Sequence, residues 1–203
     1  MFTESLKQIK TAFLFITFFS LLTGLIYPTI VTLFAQFFFP HQANGSLLQY
    51  KGKNIGSILI GQYVDAPDYF WGRPSATIPF PNNGAYSSGS NMGPSNPDFL
   101  AIVKKRIDAL QQYNLEQQNE TSKQLIPVDL VTASASGLDP EISPLAALYQ
   151  IPSIAKARNV SEQALQTLVN QLIKKRTFYL LGEPRINVLE LNLALDQLRN
   201  THE

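Results

Sequence analysis

The residues able to do chemistry are few and poorly placed for each other. The two histidines are His41, just beyond a long apolar run, and His202, next to the last residue. Neither has an obvious third group to pair with, so a hydrolytic triad or a histidine metal cluster is not expected. The absence of cysteine excludes disulfides, thiol catalysis, thiolate-held zinc and iron–sulfur clusters. No GxxxxGK[ST] loop is present to cradle a nucleotide. Ser88-Gly89-Ser90 and Gly93 could offer backbone amides to an anion, although such a cluster is more often a plain turn. Asp129 stands out because it interrupts the apolar stretch Leu125–Ala133. A carboxylate buried there needs a partner. Arg73, Arg158 and Arg185 are the candidates, and a catalytic acid is the sharper alternative. An exported hydrolase would need Asp129 or Ser136 for activity. Asp139-Pro140 has turn-initiating chemistry, with Glu141 expected to be exposed. Lys104–Arg106 and Lys174–Arg176 sit on the polar sides of helical patterns. Both read as solvated faces, or as docking points for an acidic patch.

The elements that carry these residues fall into two parts. Of 203 residues only 15% are charged, and the net charge of +1 provides no electrostatic case for nucleic acid. The apolar residues gather in Ala12–Phe39, 28 residues without a charge. At ~1.5 Å per residue, about 20 apolar residues cross a bilayer core. The run is too long for the apolar region of a cleaved signal peptide, and Leu33 and His41 are poor partners for a small-residue cleavage site. The expectation is therefore one uncleaved transmembrane helix over 12–39. Lys7 and Lys10 precede the span, and Pro40 to Gln49 contain no Lys or Arg. Cations favour the cytoplasmic side. That places 1–11 inside and 40–203 outside. Pro28 predicts a kink. Thr23, Gly24 and Thr32 suit packing against another membrane helix, with a lone anchor as the plainer alternative.

Residues 40–203 carry 14 basic and 14 acidic side chains once Lys7, Lys10 and Glu4 are set aside. The pattern predicts an α+β domain. Ile55–Tyr63 and Leu125–Ala133 read as strands. Pro74–Pro97 reads as a long loop, and such loops in compact domains are usually functional or disordered. Asn96-Pro97 opens a helix that runs to about Glu116, and Asn114–Lys123 reads as a polar linker. Ser134–Pro140 is a turn. Ser143-Pro144 opens a short helix, Ser161 a longer amphipathic one. Asn187 and Glu190 form a capping-box pattern before the last helix.

Six ordered blocks carry a family resemblance: GSILIGQ (56–62), FWGRPSA (70–76), SGSNMGPSNP (88–97), PVDLVTASASGLDPEISPLAALYQIP (127–152), AKAR (155–158) and NVLELNLALD (187–196). With the apolar segment ahead of them, the chain resembles the C subunit of the Kdp-type potassium-transporting ATPase, the KdpC family. Ser88 stands where that family usually has glycine, and Glu141 where it usually has histidine. The resemblance implies a non-catalytic accessory subunit of a high-affinity, ATP-driven potassium importer in the bacterial inner membrane. Its partners would be a channel-like potassium-binding subunit, a P-type ATPase subunit and the lipid bilayer. No cofactor of its own is implied, and ATP could be met through the complex. By one family account the subunit is a catalytic chaperone that raises the ATP affinity of the P-type subunit. Gln150, with Ser134, Ser136, Gly137 and Asp139, would then contact nucleotide. By the other account the domain docks externally at the potassium entrance. Arg73, Ser88, Gly89, Asn91, Asn96 and Asp129 are the expected partner contacts, since loop residues on a rigid scaffold commonly make them. A stand-alone anchored binding protein is the remaining reading.

Overall fold

A computed structural model describes residues 2–118 and 125–200. It divides into two compact units, Met1–Leu47 and Leu48–Glu203.

The first unit is helical from Phe2 to Phe38: α1 (Phe2–Leu21), a π-helical turn (Leu22–Ile26) and α2 (Tyr27–Phe38). A short α3 (Pro40–Ala43) follows. From Glu4 to Phe38 the helix is long and apolar enough to cross a membrane, and none of it is buried within the chain. Pro28 explains the wide turn. Proline lacks an N–H and its ring clashes with the carbonyl four residues back, here Gly24. The extra residue of a π turn relieves that clash. Accordingly, the Tyr27 N–H reaches back to the carbonyl of Leu22. Thr23 Oγ1 donates to Phe19 O at 2.7 Å, satisfying its hydroxyl without leaving the helix.

The second unit begins with the hairpin β1 (Leu47–Tyr50) and β2 (Lys53–Ser57). The strand expected over Ile55–Tyr63 thus ends at Ser57. The Ser57 hydroxyl accepts from Leu59 N at 3.1 Å and turns the chain, the local competition by which serine ends regular pairing. No helix or strand occurs between Ser57 and α4 (Pro97–Gln118), so the long loop is as expected. The Asn96 Oδ1 accepts from Asp98 N at 2.9 Å at the start of α4. Residues 114–118 continue that helix instead of opening a linker. Residues 119–124 of the expected linker, and His202, lie outside the described residues.

The strand expected over Leu125–Ala133 is a 3-10 turn, Val128–Leu130, flanked by irregular chain. Leu130 and Val131 still reach the core, while Leu125 and Val128 are exposed. β3 (Glu141–Ile142) pairs antiparallel with β4 (Ile186–Asn187), Ile142 opposite Ile186. α5 (Pro144–Arg158) is longer than the short helix expected, running through Pro152 to a left-handed Asn159. α6 (Glu162–Leu172) is capped by Ser161, whose Oγ accepts from Ala164 N at 3.2 Å. α7 (Val188–Asn200) is capped by Asn187 Oδ1, which accepts from Glu190 N at 3.1 Å. The reciprocal half of the box is not made, because the Glu190 carboxylate pairs with Lys174 at 2.6 Å. α5 runs through the core, packed by α4 and α6, and Tyr149, Ile154, Leu165, Val169, Ile186, Leu191 and Leu195 are buried with it.

Candidate functional site

The loop and the turn that carry most of the candidate residues are folded onto each other. Turn 134–139 is the inner layer. Ser134 N donates to Pro74 O at 3.1 Å, and Gly61 N donates to Leu138 O at 2.8 Å. Ser88 N and Ser87 Oγ both donate to Ser136 O, at 2.9 and 3.0 Å. Ser75 Oγ donates to Gly137 O at 2.7 Å. Gly137 has φ +69°, and a Cβ there would lie 2.5 Å from Ser88 O. A Cβ at Gly89 would lie 2.5 Å from Ala135 O. Glycine is required at both positions by close backbone approach. Ser88 carries no such constraint: it is absent from the left-handed backbone positions. Serine is therefore accommodated there in ordinary backbone geometry.

Arg73 anchors the turn from one side. Its Nη1 pairs with Asp139 Oδ2 at 3.0 Å and its Nη2 donates to Ala133 O. Asp139 Oδ1 also accepts from Glu141 N at 3.0 Å. Both side chains are over a quarter exposed, so the pair orients the turn more than it stabilises the fold.

Two buried amides hold the chain just before Arg73. Asn192 Oδ1 accepts from Phe70 N at 2.8 Å, while its Nδ2 donates to Phe70 O at 2.9 Å. Gln150 repeats this one residue on: Oε1 accepts from Trp71 N at 2.7 Å, and Nε2 donates to Trp71 O and Ala146 O. Each amide mimics a neighbouring strand for an irregular segment that has none, satisfying backbone groups that burial would otherwise orphan. Neither Asn192 nor this use of Gln150 was evident from the sequence; an amide on the buried stripe of a helix was the available signal.

Arg158 performs a related task at the end of α5. Its side chain is 7% exposed and contacts Asp196 Oδ1 at 2.9 Å and Asp68 Oδ2 at 3.7 Å. Its guanidinium lies over the Tyr69 ring, 4.3 Å from the centroid. Burial raises the Tyr69 pKa, with Arg158 opposing the shift and Asp196 adding to it. The Tyr113 ring lies tilted at 35° against Trp71, centroids 4.9 Å apart, and its pKa is pushed up to about 12 by burial and then by the charge of Asp68. Burial lowers the Arg106 pKa; its Nη1 donates to Val131 O at 2.9 Å. Arg106 is thus not part of a solvated triplet, although Lys104 and Lys105 are exposed.

The expected ion pair of Asp129 is not made. Its carboxylate accepts from Ser143 N at 2.7 Å and Ser143 Oγ at 3.2 Å. It thereby orients the residue that caps α5, near the positive end of the helix dipole. The three arginines are taken by Asp139, by Asp68 and Asp196, and by Glu141. Glu141, expected to be exposed, is partly covered and sits 2.9 Å from Arg185 Nε. Phe70 is fully buried, Trp71 half-buried and Tyr86 exposed. Asn91, exposed with φ +52°, and the cap Asn96 lie outside the folded-over turn.

A cleft of about 420 Å³ opens beside this assembly. Tyr63, Asp65, Tyr69, Arg73, Asp139 and Asp196 give it three carboxylates to one guanidinium. The Tyr63 pKa is raised by burial and by Asp65. Among the described residues no group of three His, Asp or Glu side chains could hold a metal.

The family model for the K+-transporting ATPase c chain, KdpC, matches residues 9–197. The chain belongs to the KdpC family. Curated relatives include a protein of Herpetosiphon aurantiacus, 57% identical over 186 residues that cover 91% of this chain and 93% of the relative. One from Burkholderia orbicola is 56% identical over 180 residues, covering 89% and 91%. One from Methylococcus capsulatus is 52% identical over 194 residues, covering 96% and 100%. Each of the three is named a potassium-transporting ATPase KdpC subunit. In this KdpC-family chain the blocks around 70–76, 88–97 and 127–152 are the segments folded onto one another, and 187–196 brings in Asn192.

Proposed function

We propose that this chain is an accessory, non-catalytic subunit of an ATP-driven potassium importer, required for assembly and activity. It is held in the bacterial inner membrane by its N-terminal helix, with residues 40–203 outside. There it docks on the channel-like and P-type ATPase subunits. The observation that carries this reading is the apolar helix Glu4–Phe38 in a KdpC-family chain: it is long and apolar enough to cross a membrane and its large apolar side chains are exposed, which supports lipid and neighbouring membrane helices as its surroundings. Lys7 and Lys10, in its first turns, set the orientation. The site geometry supports docking over nucleotide contact. The Gln150 amide is occupied by backbone groups, and the Asp139 carboxylate is taken by Arg73 and by Glu141 N.

The chain has no cysteine, so one introduced at exposed Gln163 reports its side of the membrane. A membrane-impermeant maleimide should label Gln163→Cys in intact cells. Labelling only after lysis would defeat the external placement. Potassium uptake at low external potassium should fail when the chain is deleted, and normal uptake would end the accessory-subunit reading.

A further inference from the structure

After α6 the chain forms a narrow ribbon. Lys174 and Arg185 exchange backbone hydrogen bonds at 2.8 and 3.0 Å, and Thr177 and Leu181 exchange a second pair, both at 2.9 Å. Lys174–Arg176 therefore lie on this ribbon and not on a helix. Its tip is Phe178-Tyr179-Leu180-Leu181, with exposures of 84, 83, 75 and 59%. Phe178 and Tyr179 both have left-handed backbone, φ +53° and +62°, an unfavourable conformation for bulky side chains. Four consecutive large apolar side chains presented in this way are not packing for the domain itself.

We propose that this tip inserts into the interfacial region of an anionic lipid bilayer. Three observations select lipid as the occupant. Aromatic and aliphatic residues at the tip backed by cations are the composition of membrane-interface segments. On the ribbon from 174 to 185, Lys174, Arg176 and Arg185 are paired with Glu190, Glu183 and Glu141 at 2.6, 2.6 and 2.9 Å, and Lys175 beside them is exposed. Lys175 has no acidic partner among the described residues, leaving it to anionic headgroups. The third observation is the tether. Only residues 39–47 separate the apolar helix from the domain, a reach of at most ~30 Å fully extended. A domain so tethered meets the bilayer at high effective concentration, so a weak interfacial preference suffices. This inference rests on the helix being in the membrane. Docking of the tip on a protein partner is the competing outcome.

The test uses the full chain, reconstituted alone into vesicles of phosphatidylcholine and phosphatidylglycerol. Three single-cysteine variants carry an environment-sensitive fluorophore: Ile16→Cys in the helix, Phe178→Cys at the tip and Gln163→Cys on the exposed face of α6. Position 178 should show blue-shifted emission and lose most of it to lipids spin-labelled near the headgroup. The effect should weaken in vesicles of phosphatidylcholine only, and position 163 should behave as in water. A fluorophore at 178 as wet as that at 163, with 16 still dry, would overturn the inference while leaving the anchor intact. Shielding at 178 only after the other transporter subunits are added would also overturn it, in favour of a protein partner. Wet fluorophores at both 16 and 178 would remove the anchor and this inference together.

Discussion

At the scale of residues, the amide clamp is the feature with the most direct consequences. Gln150 and Asn192 replace a missing strand for Phe70 and Trp71, and both lie on helices that the core holds in place. Gln150→Ala leaves the Trp71 N–H and carbonyl without their side-chain partner. Orphaning such a group costs about 1–3 kcal/mol, so the chain should unfold at lower denaturant. With the variant assembled into the transporter, ATP affinity should stay unchanged; a weaker ATP affinity without loss of stability would favour the nucleotide-contact account. Tyr113 supports a pH prediction. Its folded pKa is about 12, above the ordinary tyrosine value near 10. The unfolded chain then loses this proton first as pH rises. Stability associated with the neutral phenol is fully present below pH 10 and is lost as pH rises from about 10 to about 12. Tyr63 and Tyr69 shift in the same direction, so Tyr113→Phe should flatten part of this alkaline decline in a denaturation series, not all of it. An unchanged slope would contradict the assignment.

At the scale of elements, the helices are set by capping and apolar stripes, and the loops by what those helices hold. Arg158 shows the coupling. It ends α5, yet its partners are the loop residue Asp68 and Asp196 on α7. Arg158 is the covered member of these pairs, and the carboxylates it would leave are 38% and 34% exposed, so the cost of stranding them is screened below the about 3–5 kcal/mol of a fully buried pair. Arg158→Met should destabilise the domain by about 1–3 kcal/mol, measured by chemical denaturation; a loss below about 1 kcal/mol, the range of exposed pairs, would show that the pairs are solvated. The membrane-length helix has a different logic. Pro28 would break a regular helix, and the π turn at Leu22–Ile26 absorbs it.

At the scale of the whole molecule, the surface that remains after folding determines what can dock. The loop 74–97 covers turn 134–139 and keeps its own outer side exposed at Ser90 and Asn91. If that side meets another subunit, Ser90→Arg should lower recovery of the assembled transporter in affinity purification. The isolated chain's melting temperature should hold within the small effects typical of surface changes. Full recovery of the complex would move the docking surface elsewhere.

Much of this was legible from local chemistry. Asn96, Ser143, Ser161 and Asn187 announce helix starts because their side chains satisfy nearby backbone amides, an interaction decided within four residues. The uncharged run 12–39 announces a membrane-length helix for an equally local reason. The family was legible in the motif blocks. The apolar runs 55–63 and 125–133 misled, because an apolar segment becomes a strand only where another strand is free to pair with it. Ser57 and Pro127 turned these runs into loops instead. Tertiary structure alone decided that Asp129 serves a helix cap, that Gln150 and Asn192 act as backbone partners, and that Phe178–Leu181 point outward. Each outcome depends on which distant backbone group or empty surface arrives beside the side chain, and residue spacing along the chain carries no record of that meeting.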